Sequence, residues 1–169
     1  TFTFGWSNDL TWKNLSVNVF VTGSVGNKVL DLTRFYLNDG IVNFSGQVLN
    51  QTQDWYTHRW TAQHPINDAR YPGTQVGMPF SISDITSSMV EDGTYVRLKS
   101  LTFSYVFPKF KVVKDLTLFF TGTNLLTITK YAGFDPEVSS FNQSILQQGI
   151  DYAAYPAQRS YTFGVSCNF

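Results

Sequence analysis

The chain has 169 residues, enough for one domain, and its 12 basic residues are matched by 12 acidic ones, which argues against the basic footprint of a nucleic-acid binder. Charged residues make up 14% and aromatic residues 17%, the first well below the roughly 25% usual in soluble domains. A single cysteine, Cys167, allows no internal disulfide and no cysteine-based zinc site, and no apolar run reaches the ~18 residues of a membrane helix, so any membrane reading has to be a barrel.

The chain opens at Thr1-Phe2-Thr3-Phe4, inside a strand pattern and without a signal segment, and is expected to be a piece of something longer. Over residues 1–12, Phe2, Phe4, Trp6, Leu10 and Trp12 share one face, while Thr1, Thr3, Gly5, Ser7, Asp9 and Thr11 share the other. Lys13-Asn14 reads as a minimal hairpin turn, with Asn the residue that tolerates a positive φ. The return strand, 14–25, carries Leu15, Val17, Val19 and Val21 against Ser16, Asn18, Thr22 and Ser24, with Phe20 as an exception.

From residue 26 to 92 the alternation lapses. Ser45 is expected to cap a helix in which Val48, Leu49, Thr52, Trp55, Tyr56 and Arg59 recur at helical spacing. So long a connection with little strand character is usually functional. A third strand, 94–107, has the odd face Tyr95, Arg97, Lys99, Leu101, Phe103, Tyr105 and Phe107, and Pro108 ends it. A fourth, 116–130, sets Leu116, Leu118, Phe120, Gly122, Leu126 and Ile128 against Thr117, Phe119, Thr121, Thr123, Thr127 and Thr129, with Leu125 out of step. After a second long loop, 131–159, the last strand, 160–169, alternates Tyr161, Phe163, Val165, Cys167 and Phe169 with small or polar residues. The connections therefore run tight, long, short, long. Outer-membrane barrels sort their loops this way, with short periplasmic turns and long extracellular loops. Five strands do not close a barrel by themselves. The alternative from alternation alone is a soluble all-β carbohydrate-binding module, which would purify without detergent.

Gly93-Thr94-Tyr95-Val96-Arg97-Leu98-Lys99-Ser100-Leu101, Phe119-Phe120-Thr121-Gly122-Thr123-Asn124-Leu125-Leu126-Thr127, Lys130-Tyr131-Ala132-Gly133-Phe134-Asp135-Pro136-Glu137-Val138 and Tyr155-Pro156-Ala157-Gln158-Arg159-Ser160-Tyr161-Thr162-Phe163-Gly164 resemble the C-terminal region of SusC/RagA-type TonB-dependent outer-membrane transporters. The resemblance implies an all-β fold: an antiparallel transmembrane barrel segment, the last five strands of a 22-stranded plugged barrel, with outer loops at 26–92 and 131–159. It implies import of oligosaccharides or peptides across a bacterial outer membrane with energy from TonB. The implied partners are the rest of the barrel and its plug, a SusD-like lipoprotein, TonB acting through an N-terminal part absent here, and membrane lipid. The terminal alternation, Tyr161 to Phe169, is implied to act as an assembly signal.

No catalysis and no cofactor are expected. Asp135 and Glu137 flank a proline, and a loop turn explains them better than glycoside hydrolysis; His58 and His64 are too few and wrongly spaced for a metal. Trp55, Tyr56, Trp60, Tyr131, Phe134, Tyr152 and Tyr155 are candidates to stack on a substrate or on the lipoprotein, or else to pack the loops, the role favoured for most of them and for Trp55 and Trp60 especially. Arg97 and Lys99 are expected to meet lipopolysaccharide phosphates, because they share the odd face with Leu101 to Phe107 near the outer end of their strand; the alternative is a bulge between Lys99 and Leu101 that rotates both cations toward the lumen or a neighbouring acidic loop.

Overall fold

The computed structural model describes residues 1–38, 40–44, 47–48, 50–63, 65, 71–76, 86–109, 113, 115–138 and 148–168, in two compact units. The first comprises 1–28, 92–137 and 155–169, and its framework is one antiparallel sheet. Its strands are β1 (Phe2–Trp12), β2 (Leu15–Val25), β8 (Tyr95–Phe107), β9 (Asp115–Thr129) and β11 (Ser160–Asn168), in the order β1-β2-β8-β9-β11. The register lines up like residues across the sheet. Val17, Phe103, Phe120 and Phe163 form one row of partners; Asn18, Thr102, Thr121 and Thr162 form the next. One face is therefore aromatic and aliphatic, the other largely hydroxyl and amide. Phe2, Trp6, Leu10, Trp12, Tyr161, Phe163 and Val165 are all exposed, so among the described residues the apolar face covers no core within this unit.

Residues that break the alternation have local causes. The Phe20 ring lies across Gly5 on the polar face, where the absent side chain leaves room. Leu125 follows Asn124, whose φ is 51°, and this left-handed residue turns Leu125 back over Gly122. At the hairpin tip it is Lys13, not Asn14, that takes the positive φ, 54°. The Asn14 side chain instead donates to the Val106 carbonyl at 2.7 Å, which ties the turn to the end of β8.

The second unit, 29–91 with 138–154, has more regular structure than the sequence pattern suggests. It contains β3 (Lys28–Asp31), α1 (Leu32–Asn38), β4 (Ile41–Phe44), β5 (Gln47–Val48), α2 (Gln53–His58), β6 (Gln75–Val76), β7 (Val90–Asp92) and β10 (Ile150–Asp151). The strands are two to four residues long and form the small sheets β10-β3-β7 and β5-β4-β6. The expected helix is corrected. Val48 pairs with Asn43 in β5, the helix begins at Gln53, and its cap is Thr52, whose hydroxyl accepts from the Trp55 amide at 3.0 Å. Ser45 lies outside the described residues. Val29, Trp55, Met89 and Val138 are buried and give this unit a small core. Arg34 ties it together through Glu91, Asp54 (3.4 Å) and the Tyr71 hydroxyl (3.2 Å). Neither helix is long enough to cross a membrane.

Candidate functional site

The strongest polar constellation lies on the hydroxyl face of the large sheet and starts from one extra residue. Against β2, Phe20 pairs with Ser100 but Val21 with Leu98; against β9, Leu98 pairs with Leu126 but Ser100 with Thr123. Against β2, Lys99 is thus the extra residue of a bulge in β8, whereas against β9 two residues, Asn124 and Leu125, stand opposite the single Lys99. A bulge reverses alternation, so Val96 and Leu98 continue the apolar face of Leu101, Phe103 and Tyr105. Tyr95 and Arg97 turn instead to the polar face beside Thr22, Thr127 and Thr129.

There Arg97 is almost fully buried, its side chain 3% exposed. Its guanidinium donates to Thr127 Oγ1 and to Glu137 Oε2, each at 2.9 Å, and to Asp135 Oδ1. Lys99 Nζ reaches the same Glu137 oxygen at 2.8 Å. Asp135 Oδ1 also accepts from the Glu137 amide at 2.9 Å, and its Oδ2 from the Ala157 amide at 3.0 Å. Burial alone would raise the Asp135 carboxyl, but the Arg97 hydrogen bond, the Ala157 and Glu137 amides and the Arg97 charge together hold it below the usual carboxylate range. Asp135 is therefore an ionised acceptor serving several donors. The expected lipopolysaccharide contact is corrected: Arg97 and Lys99 are paired with protein carboxylates, and the bulge that turns Arg97 off the apolar face is the reason.

Beside this network is a cavity of about 360 Å³ whose lining includes Arg97, Asn124, Thr127, Phe134, Asp135 and Arg159. Phe134 is 76% exposed and Tyr155 82%. Tyr131 is buried, its ring against Gly133, and is a packing residue. In the second unit Trp55 is buried, with Nε1 donating to the Pro72 carbonyl at 3.1 Å and the Arg59 guanidinium 4.8 Å from its ring. Tyr56, Trp60 and Tyr152 are exposed, and Tyr152 meets the ring of Tyr36 at 5.8 Å. The structure thus separates the candidates into packing residues, Trp55 and Tyr131, and outward ones, among them Trp60, which is exposed where a packing role is expected. Tyr161, Phe163, Val165 and Cys167 stand open on the apolar face; Phe169 lies outside the described residues, as does His64. His58 sits 3.0 Å from Asp54, and among the described residues no three His, Cys, Asp or Glu side chains gather as a metal site. Periodicity leaves a bulge near Lys99 as the alternative to a lipid-facing pair; the register of β8 against β2 and the ion pairs to Asp135 and Glu137 decide for the bulge.

No family model matches the chain. TonB-dependent receptor P3 of Formosa agariphila is 35% identical over 176 residues, covering 99% of the chain and 16% of the receptor; receptor P26 of the same organism is 32% identical over 175 residues, covering 98% and 17%. The RagAB peptide importer in its open-open state aligns over 99% of the chain and 17% of the solved one, with a TM-score of 0.73 at 26% identity. The chain belongs to the SusC/RagA type of TonB-dependent receptor. The closed-closed RagAB structure gives the same match, with a TM-score of 0.74 at 25% identity. The SusC/RagA-type chain spans about one sixth of the length of the relatives it matches. Its buried Arg97 pairs with the very stretch, Gly133 to Glu137, that carries much of the sequence resemblance.

Proposed function

We propose that the protein bearing this chain is an outer-membrane importer, energised through TonB, that takes up oligosaccharides or peptides with a SusD-like lipoprotein at its outer face. The observation that carries this reading is the open apolar face of the five-stranded sheet, backed by a hydroxyl face. Large contiguous apolar surface needs a cover, and a barrel supplies lipid on one side and an aqueous lumen on the other. In this reading the tip at Lys13 is periplasmic, the five strands are the last of a 22-stranded barrel, and 26–92 and 131–159 lie outside the membrane. The rest of the barrel and the plug complete the path, and TonB acts through them. Tyr56, Trp60, Phe134, Tyr152 and Tyr155 are the surface aromatics offered to substrate or lipoprotein.

The test is uptake by intact cells of fluorescent oligosaccharides and of fluorescent peptides, with the gene present, deleted, or present without TonB. Loss of one class in both deficient strains is expected and identifies the substrate. Unchanged uptake of both, with the protein in the soluble fraction, overturns the reading.

Tyr161, Phe163, Val165, Cys167 and Phe169 serve as the assembly signal. Deleting Phe169 should lower the amount of inserted protein in purified outer membranes while uptake per inserted molecule stays constant. Normal insertion of the deletion variant would remove that role.

A further inference from the structure

We propose that Arg97 and Asp135 form a single joint holding two separate segments, 131–137 and 155–159, against strands β8 and β9, so that both segments leave the strand surface together. The two carboxylate oxygens of Asp135 are divided between the partners: Oδ1 takes Arg97 and the Glu137 amide of its own segment, Oδ2 takes the Ala157 amide of the other. Asn124 Nδ2 of β9 also donates to the Gln158 carbonyl of 155–159 at 2.9 Å. This contact comes from a residue already in the left-handed conformation. The charges of the joint cancel, Arg97 and Lys99 against Asp135 and Glu137. Removing Asp135 therefore leaves a buried guanidinium short of one carboxylate and the second segment without its amide acceptor, so the loss reaches both segments. The neighbouring cavity is lined by Phe134 and Pro136 from one segment and by Pro156, Ala157 and Arg159 from the other. Its width is accordingly governed by the joint. This inference concerns motion and does not depend on which substrate is imported.

The test is amide hydrogen exchange on the protein purified in detergent from outer membranes. In Asp135→Asn, exchange should accelerate by roughly tenfold or more in 131–137 and in 155–159 alike, since hydrogen bonds to charged groups contribute about that factor or more to an opening equilibrium. In Glu137→Gln, whose side chain pairs with Arg97 and Lys99 of β8, only 131–137 should accelerate. Should Asp135→Asn fail to insert, the unmodified protein still decides. At high pH, where exchange reports opening rates, the two segments should open at one common rate. Acceleration confined to 131–137 in Asp135→Asn, no acceleration in either segment, or different opening rates in the unmodified protein would each overturn the joint.

Discussion

A methyl group added at Gly164 would collide with the Phe119 ring, which lies across it in the β9–β11 pair. Overpacking of this kind costs about 1–3 kcal/mol. Gly164→Ala should therefore lower the thermal midpoint of the folded protein in detergent, and Phe119→Ala in the same chain should recover part of it; independent, additive losses would show that the two do not share the space. Asp135 gives a second residue-level expectation, with a pH sign. Its folded carboxyl titrates below the unfolded value, about 3.9 for an aspartate. Its contribution to stability is therefore complete above about pH 4 and is lost as pH falls below that, through the folded value. Arg97, Lys99 and Glu137 belong to the same network and Arg159 lines the cavity beside it. All four remain in Asp135→Asn, so comparison isolates the aspartate. Between pH 4 and pH 2 the thermal midpoint should fall further in the unmodified protein than in Asp135→Asn. Equal slopes would mean that another group carries the acid loss.

At the scale of the element, β8 shows how one residue sets which face a buried cation occupies. Deleting Lys99 removes the extra residue and joins Leu98 to Ser100, so strict alternation with Leu101, Phe103 and Tyr105 keeps Arg97 on the polar face. The deletion should therefore leave the amount of folded protein in outer membranes within about twofold, and so should Lys99→Met, which keeps the bulge and removes the contact to Glu137, since exposed ion pairs contribute little. Sharp loss in the deletion alone would show that the extra residue is needed for more than the face of Arg97, and equal loss in both that the Lys99 charge matters. The long strands were legible because each has one apolar and one polar face: Tyr161, Phe163 and Val165 against Thr162, Gly164 and Ser166 suffices to place β11. The bulge was not legible from periodicity alone, which leaves it as the alternative to a lipid-facing pair, because Arg97 and Lys99 keep odd parity with Leu101 in the sequence and pairing to β2 is what exposes the extra residue. Nor were β3 to β7, whose few residues each are too short to show a period. The Thr52 cap was obscured for a related reason: Val48 and Leu49 extend the helical spacing upstream, but pairing of Val48 with Asn43 claims that stretch for a strand.

At the scale of the whole molecule, the question is what covers the apolar face, and neighbouring residues of β11 can answer it. Phe163 belongs to a row of rings, 4.8 Å from Phe120, which in turn lies 6.5 Å from Phe103. It is 78% exposed, close to the middle of β11. Thr162 points to the hydroxyl face beside Thr121. Under lipid, an arginine near the bilayer midplane costs about 2–4 kcal/mol. Phe163→Arg should then reduce inserted protein by roughly tenfold or more, each 1.4 kcal/mol being a factor of ten, while Thr162→Arg, facing a lumen, should change it by less than about twofold. Phe163→Ala supplies the control for lost ring contacts, and its smaller effect separates packing from charge. Urea-resistant membrane pellets quantify all three. Under water the order reverses, because a soluble sheet with an open aromatic face gains solubility from an arginine there, and Phe163→Arg would accumulate in the soluble fraction above the level of the unmodified chain.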